Sequence, residues 1–420
     1  MEIEQMAKKI KEAGGELYLV GGALRDTLLG KKAQDEDYCV VGLSKNRFLE
    51  LFPQAERIGK SFEVFIIEKT EFALARTEKK IGIGHKEFEI QASEKITIQE
   101  DLARRDITIN AMAQNVLTKQ IIDPFGGRKD LENRIIRATT QHFKEDPLRV
   151  YRVARIAAQT GFAIETQTLA MMKSLKDELI SLSKQRIWEE LKKALASKQP
   201  SIFFEVLRKA EVLEVHFKEI FDLIGALQPI EYHPEGDAYQ HTMIVLDESV
   251  SYTDDVAIRY ACLVHDLGKG ITPKSMYPHH YGHDEKGVAL VERLSNRIGA
   301  PNTWISYGKT ASKEHMKGGI FHKMSLAKRV EFMERVSKTQ LGLHGLQIVV
   351  FCDKGTRGNP IDEIDFETIG TQMLQEVTGK KIKEEDGVLE GEHFKERLHE
   401  RRVVWLKEKM RAEKSSKTKG

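Results

Sequence analysis

The feature that most constrains this chain is a change of hydrophobic period near residue 135. Before it, short β-like runs alternate with turns: ELYLV (16–20), YCVVG (38–42), FEVFII (62–67), FALA (72–75), ITINAMAQN (107–115) and IID (121–123). After it, apolar residues recur at three- and four-residue steps, as in Val150, Val153, Ala154 and Ala157, then Leu191, Ala194 and Leu195, which is helical spacing. A chain of 420 residues with such a break is expected to form about two to four domains rather than one. The stretch from Gln228 to Gly236 holds Pro229, Pro234 and a terminal glycine among polar residues, and reads as a connection. A second helical region, rich in histidine, fills roughly 237–365. Beyond it a charged segment is expected to be helical through Trp405 and to fray over its lysine-rich end, KEKMRAEKSSKTKG. No internal repeat or low-complexity block interrupts this order.

Charge narrows function less than pattern does. The 66 Lys+Arg nearly cancel the 64 Asp+Glu, so any basic surface for a nucleic acid must be local. Cys39, Cys262 and Cys352 are odd in number and far apart, which fits buried small residues in a reducing compartment rather than a disulfide framework. No stretch has the form of a signal peptide or approaches the roughly 20 apolar residues of a membrane span. A cytoplasmic protein with no membrane partner is expected.

In YLVGGALRDTLLG (18–30) an apolar strand runs into Gly21-Gly22 and then into a helix. Free N–H groups at a positive helix end let a phosphate approach closely, although the same turn also serves simple chain reversal. Asp35 and Asp37 follow in DEDYCVVG. Residues two apart on extended chain point to one side, so the pair offers two carboxylates to one divalent cation, of which Mg²⁺ suits a nucleoside triphosphate. A polar turn ahead of the strand is the competing reading.

EDPLRVYRVARIAA (145–158) begins with Asp146 before Pro147, a helix cap in its simplest reading. Arg149, Arg152 and Arg155 then follow at steps of three, within about 120° of helix surface, with Val150, Val153 and Ala157 on the other side. An uninterrupted basic stripe favours an anion site over a solvated face. Farther on, His241, His265 and Asp266 of VHDLGKG, and Asp353 are dispersed, yet imidazoles and carboxylates together suit a metal that activates water against a phosphoester. His280, His283 and His315 are further candidates, for surface or substrate-facing positions as much as for ligation.

These motifs resemble a known family. GG-x-x-RD-x-LLG followed by D-x-D is similar to the signature of class II CCA-adding enzymes and bacterial poly(A) polymerases. The resemblance implies that Asp35 and Asp37 hold catalytic metals, that Gly22 and Arg25 contact the triphosphate, and that Glu71 of TEFALAR (70–76) is a third carboxylate. EDLARRDITINAMAQN (100–115) resembles the family's RRD-x-TINA block, which gives Arg105 to the nucleotide and Asp106 to the ribose. DPFGG (123–127) is a further marker, and EDPLR resembles E-D-x-x-R, the pair that reads the base edge in place of a template. Asp146 and Arg149 inherit that role, and Arg152 and Arg155 triphosphate contact. SKQRIWEEL (183–191) resembles the helix bracing the pocket, and ARTEKKIGIGHKEFE (75–89) the flexible loop needed for the switch to ATP. The histidine region resembles HD phosphohydrolases, with His241, His265, Asp266 and Asp353 as ligands of Mg²⁺ or a transition metal such as Ni²⁺. Met316 after His315, where aspartate is common in the family, points to a single metal there.

The resemblance spans nearly the whole chain, thinning after about residue 365. It implies an α+β fold: a polymerase-β-like nucleotidyltransferase α/β head (1–140), then an all-α neck (141–228), an HD-type body (229–365) and a helical, lysine-rich tail (366–420). The implied activity is addition or repair of the 3′-terminal CCA of tRNA from CTP and ATP, with a metal-dependent phosphohydrolase in the body; homodimerisation stays open. Competing readings are a poly(A) polymerase, an enzyme adding only CC or only A, an HD phosphohydrolase with a degenerate head, and a silent tRNA-binding protein.

Overall fold

The computed structural model describes residues 2–32, 36–58, 64–80, 88–355, 365–379 and 391–417. The chain forms two compact units, Met1–Ala194 with Ile202–Val215, and Leu195–Ser201 with His216–Gly420.

The first unit is built on a mixed sheet. Its strands are β1 (Glu16–Val20), β2 (Asp37–Val41), β3 (Glu56–Ile58), β4 (Val64–Ile67) and β5 (Thr70–Leu74). A separate antiparallel pair follows, β6 (Arg76–Lys80) and β7 (Phe88–Ala92), before β8 (Ala113–Asn115) and β9 (Ile121–Ile122) rejoin the sheet. The order is β3-β4-β5-β2-β1-β8-β9. β1 runs antiparallel to β2 and β8, whereas β2 and β5 are parallel with Asp37 beside Glu71. Side chains alternate between faces. Leu17, Tyr38, Val40, Phe65 and Phe72 therefore pack under the helices Ile3–Glu12 and Lys45–Leu51 through Met6, Ile10 and Phe48. Tyr18, Val20 and Cys39 face Leu102, Ala111 and Ala113 on the other side. Apolar runs on both faces explain why these strands read as continuous hydrophobic stretches.

One expected strand is mostly something else. In ITINAMAQN only Ala113–Asn115 is strand, and Thr108–Asn110 forms a 3₁₀ turn. Ile107, Ile109, Ala111 and Met112 are all buried, so burial carries no two-residue period. Thr108 Oγ1 donates to Asp130 (2.7 Å), and a β-carbon on Gly127 would stand 2.3 Å from the Thr108 carbonyl. That glycine admits the close approach of the helix Gly127–Glu132 that pins the turn. The helices Leu148–Thr160, Thr166–Ser174 and Lys184–Leu195 follow, the first closed by Gly161 at φ +70°.

The second unit is helical. Helices Ala238–Tyr252, Val256–Val264, Asn302–Gly319, Leu326–Val336 and Gly342–Gly355 surround a core that includes Val245, Ala261, Phe332, Met333, Leu346 and Val349. The terminal helix corrects an expectation: it runs Gly391–Lys417 instead of fraying after Trp405. Leu406 is buried in that core and Met410 packs against it, so apolar contact carries the helix past the charged residues. All three cysteines are free and buried. Among the described residues, no helix is long and apolar enough to cross a membrane.

Candidate active sites

A cavity of about 560 Å³ opens in the first unit. It is lined by Gly21 and Gly22, by Asp37 and Glu71 from adjacent strands, and by Arg105, Asp106, Asp146, Arg149 and Arg152. Asp35 lies outside the described residues, as do residues 81–87 of the 75–89 segment. Neighbouring positions in register on β2 and β5 point to one face, which brings the Asp37 and Glu71 carboxylates together from sequence positions 34 apart. That pairing could hold a divalent cation.

Asp106 is the hub behind this wall. Its Oδ1 accepts from Ile107 N–H (2.9 Å) and Asn110 Nδ2 (3.3 Å), while Arg152 Nε donates to Oδ2 (2.9 Å). Burial alone would raise its pKa, but the charges of Arg152 and then Arg149 outweigh it and hold the carboxyl at about 2. Arg25 does not line the cavity; its Nη1 donates to Asn110 Oδ1 (2.9 Å), so it supports Asp106 from behind. Arg155 likewise turns from the cavity to Glu190 at 2.5 Å.

Two arginines are aimed by a residue that sequence reasoning passed over. Asp101, almost fully buried, accepts from Arg104 and, through Oδ2, from Arg105 Nη2 (3.1 Å), and takes the Arg76 backbone N–H at 3.3 Å. Burial works against its charge, yet Arg104 and Arg105 keep it below the usual carboxylate range. Its i,i+3 and i,i+4 spacing to the arginines was the available signal. Asp146 plays two parts. Its Oδ1 accepts from Leu148 N–H (3.0 Å) as the expected cap, and its Oδ2 accepts from Arg186 (2.8 Å) of the SKQRIWEEL helix. Arg149 donates to the carbonyls of His142 and Arg104, both at 2.6 Å, so the arginine stripe is held by three different anchors.

In the second unit His241, His265, Asp266 and Asp353 converge, each essentially buried. His241 Nε2 lies 3.0 Å from Asp353 Oδ1 and 3.8 Å from Asp266 Oδ2, and His265 Nε2 lies 3.2 Å from that oxygen. His283 and His315 join them, with Nε2 atoms 3.2 and 3.4 Å from Asp266 Oδ1. His280 does not, being bound to Thr272 and to the Leu227 carbonyl. The approach of His283 depends on Gly268, where a β-carbon would stand 1.9 Å from the His283 carbonyl. Lys269 was missed; its Nζ is 2.6 Å from Asp266 Oδ2. The imidazoles of His265, His283 and His315 and the Lys269 ammonium thus crowd the two Asp266 oxygens, and His241, His265 and Asp353 offer ligand atoms within 4.8 Å of one another, an arrangement of imidazole and carboxylate donors suited to a cation. The donor set therefore fits a divalent metal.

Comparisons with known proteins match most of the chain. Residues 17–137 match the Poly A polymerase head domain family, and 161–224 match the family described as a probable RNA and SrmB-binding site of polymerase A. A multifunctional CCA protein of Shewanella denitrificans is 45% identical over 306 residues, 71% of this chain and 73% of its own length. The structure of a CCA-adding enzyme with ATP superposes with a TM-score of 0.65 at 19% identity, covering 97% of this chain and 90% of that one. The Thermotoga maritima CCA-adding enzyme complexed with tRNA-CCA gives 0.64 at 18% identity, covering 96% and 90%. At such identities the structural likeness establishes the fold: a nucleotidyltransferase head followed by a helical body.

Proposed function

This chain belongs to the multifunctional CCA protein family, and we infer that it is a tRNA nucleotidyltransferase that adds or repairs the 3′-terminal CCA from CTP and ATP. The observation that carries this reading is the cavity in which Asp37 and Glu71 stand side by side next to the Gly21 turn and a set of arginines.

Asp35, Asp37 and Glu71 would hold the divalent metal, Mg²⁺ in this proposal, which neutralises phosphate charge and makes the tRNA 3′ hydroxyl more acidic. That hydroxyl attacks the α-phosphorus in line; the new O–P bond forms as pyrophosphate leaves. Gly22, Arg105 and Arg152 receive the triphosphate, with Arg25 and Arg155 supporting them from behind, and Asp106 takes the ribose. Asp146 and Arg149 read the base: a carboxylate accepts from the amino group that cytosine and adenine share in kind, and a guanidinium donates to ring acceptors. Arg186 holds Asp146 in place for this. Catalysis is then mostly positioning and charge neutralisation.

The test is primer extension on tRNA transcripts lacking A, CA or CCA, with CTP and ATP supplied singly and together. Full CCA is expected from the wild type, and Asp35→Ala or Asp37→Ala is expected to abolish incorporation with folding intact. Deleting 81–87, in the segment assigned to the ATP switch, should leave CC addition and remove the final A. Incorporation by Asp37→Ala near the wild-type rate would end this reading.

A second activity is favoured by the convergence of imidazoles and carboxylates on one buried point around Asp266. His241, His265, Asp266 and Asp353, with His283 and His315, would hold Mg²⁺ or a transition metal such as Ni²⁺ that activates water against a phosphoester. Functionally the chain then divides into head (1–140), neck (141–228), phosphohydrolase body (229–365) and tail (366–420). Release of phosphate from nucleotide monoesters and hydrolytic opening of cyclic diesters to monoesters, both lost in Asp266→Asn, check this site.

A further inference from the structure

The segment that reads as a plain connection, Gln228 to Gly236, carries a carboxylate into the metal-binding cluster. Glu235 Oε1 accepts from His241 Nδ1 at 2.7 Å and from His233 Nδ1 at 2.9 Å, and its side chain is only 9% exposed. The far side of the same imidazole, Nε2, faces Asp353 and Asp266. We propose that Glu235 is a positioning residue for the metal site of the second unit: it fixes His241 with Nδ1–H toward Glu235 and Nε2 toward the ion. This rests on the reading of that cluster as a metal site.

The backbone shows why a connecting segment can aim a side chain so closely. Pro229 O accepts from the N–H groups of Tyr232 and His233, and His233 O accepts from Gly236 N–H. Gly236 then turns at φ +109°, which favours glycine. Asp237 caps the next helix by accepting from Gln240 N–H (2.9 Å) and reaches back to Gly225 N–H (2.7 Å), while Ala238 N–H donates to the Ala226 carbonyl (3.0 Å). The segment is thus tied at both ends. Glu235 precedes the cap by two residues and His241 lies in the first turn after it, so the turn sets their separation. His233 meets His241 edge-on, with ring centroids 4.7 Å apart, and holds the shared carboxylate from its other side. Both imidazoles donate to one oxygen, so the carboxylate cannot rotate without breaking two charge-assisted hydrogen bonds.

A carboxylate on the non-ligating nitrogen of a metal-bound histidine sets tautomer and ring orientation and increases ligand basicity, and losing such a partner costs about 10–100-fold in metal affinity. Glu235→Gln keeps shape and an acceptor oxygen but removes the charge. The full chain, stripped with chelator and carrying Asp35→Asn and Asp37→Asn to remove the head carboxylates, is titrated with Co²⁺ while its ligand-field absorption is recorded. The parent is expected to show a nitrogen-ligated spectrum, and Glu235→Gln to bind Co²⁺ about 10- to 100-fold more weakly with the same melting temperature without metal. Equal affinity in the two proteins overturns the proposal while leaving the metal site standing. An affinity loss accompanied by a lower metal-free melting temperature also overturns it, because the role is then structural. A parent that binds no Co²⁺ through imidazole removes the metal site itself, and the proposal with it.

Discussion

Gly21 lies at φ +70°, and a β-carbon there would stand 3.2 Å from Arg105 Nη1 and 3.7 Å from Asp37 Oδ2. Gly22, the glycine that the motif singles out, has an ordinary backbone, and its β-carbon would meet the Arg25 guanidinium at 3.5 Å. The requirement for glycine is therefore stronger at the first position. Gly21→Ala combines about 1 kcal/mol or more of backbone strain with displacement of an arginine. In single-turnover CTP incorporation it is expected to lose more than tenfold in rate, and Gly22→Ala much less; equal losses would place the constraint elsewhere. Asp101 is the second residue on which the cavity depends. Asp101→Asn leaves Arg104 and Arg105 without their buried counter-charge, with side chains only 13% and 19% exposed. A loss of roughly 3 kcal/mol in unfolding free energy is expected, with a raised KM for both nucleotides, measurable by urea denaturation and steady-state kinetics.

At the scale of elements, the helix Leu148–Thr160 shows what a sequence can and cannot tell. Its period and the three-residue spacing of its arginines were legible, and so was Asp146 as a cap, because both are local. That Arg155 turns to Glu190 and Arg152 to Asp106 was not, since those partners lie 35 and 46 residues away and spacing on one helix says nothing about what packs against it. Arg152→Ala should therefore raise nucleotide KM well above the level reached by Arg155→Ala, whose main effect should be on stability as Glu190 loses its partner. Comparable KM values would return Arg155 to direct triphosphate contact. The same limit governs the other misreadings. ITINAMAQN is apolar on every side because it is buried on every side, so no period separates strand from turn. The terminal helix continues because Leu406 and Met410 meet a core built by helices earlier in the chain. Glu235 stayed hidden because prolines and a glycine mark a turn without showing which side chain the turn presents. Paired carboxylates and dispersed histidines could be singled out as candidates because their chemistry limits what they can do wherever the fold places them.

Across the whole molecule, each unit carries its own cluster of charged groups and its own response to pH. In the second unit a buried histidine distant in sequence from the metal ligands offers the clearest case. His216 is 7% exposed, in the helix Leu213–Phe221. Its carbonyl accepts from Arg297 Nη1 (3.2 Å), and Arg297 is also bound by the buried carboxylate of Glu219, which pairs with Arg293 as well. Burial disfavours the imidazolium, the Arg297 charge adds to this, and the pKa falls from 6.5 to about 4. The folded state thus prefers the neutral ring more than the unfolded chain does. The resulting stability is fully present above pH 6.5 and is lost as pH falls toward 4, because the unfolded state then binds the proton first. The full difference is about 3 kcal/mol. In urea the unfolding midpoint of the wild type should fall between pH 7 and pH 4.5, and in His216→Asn, where nothing titrates at this position, the decline should be distinctly shallower. If both proteins lose stability in parallel over that interval, the acid sensitivity belongs to other groups and His216 is charged as easily in the folded chain as outside it.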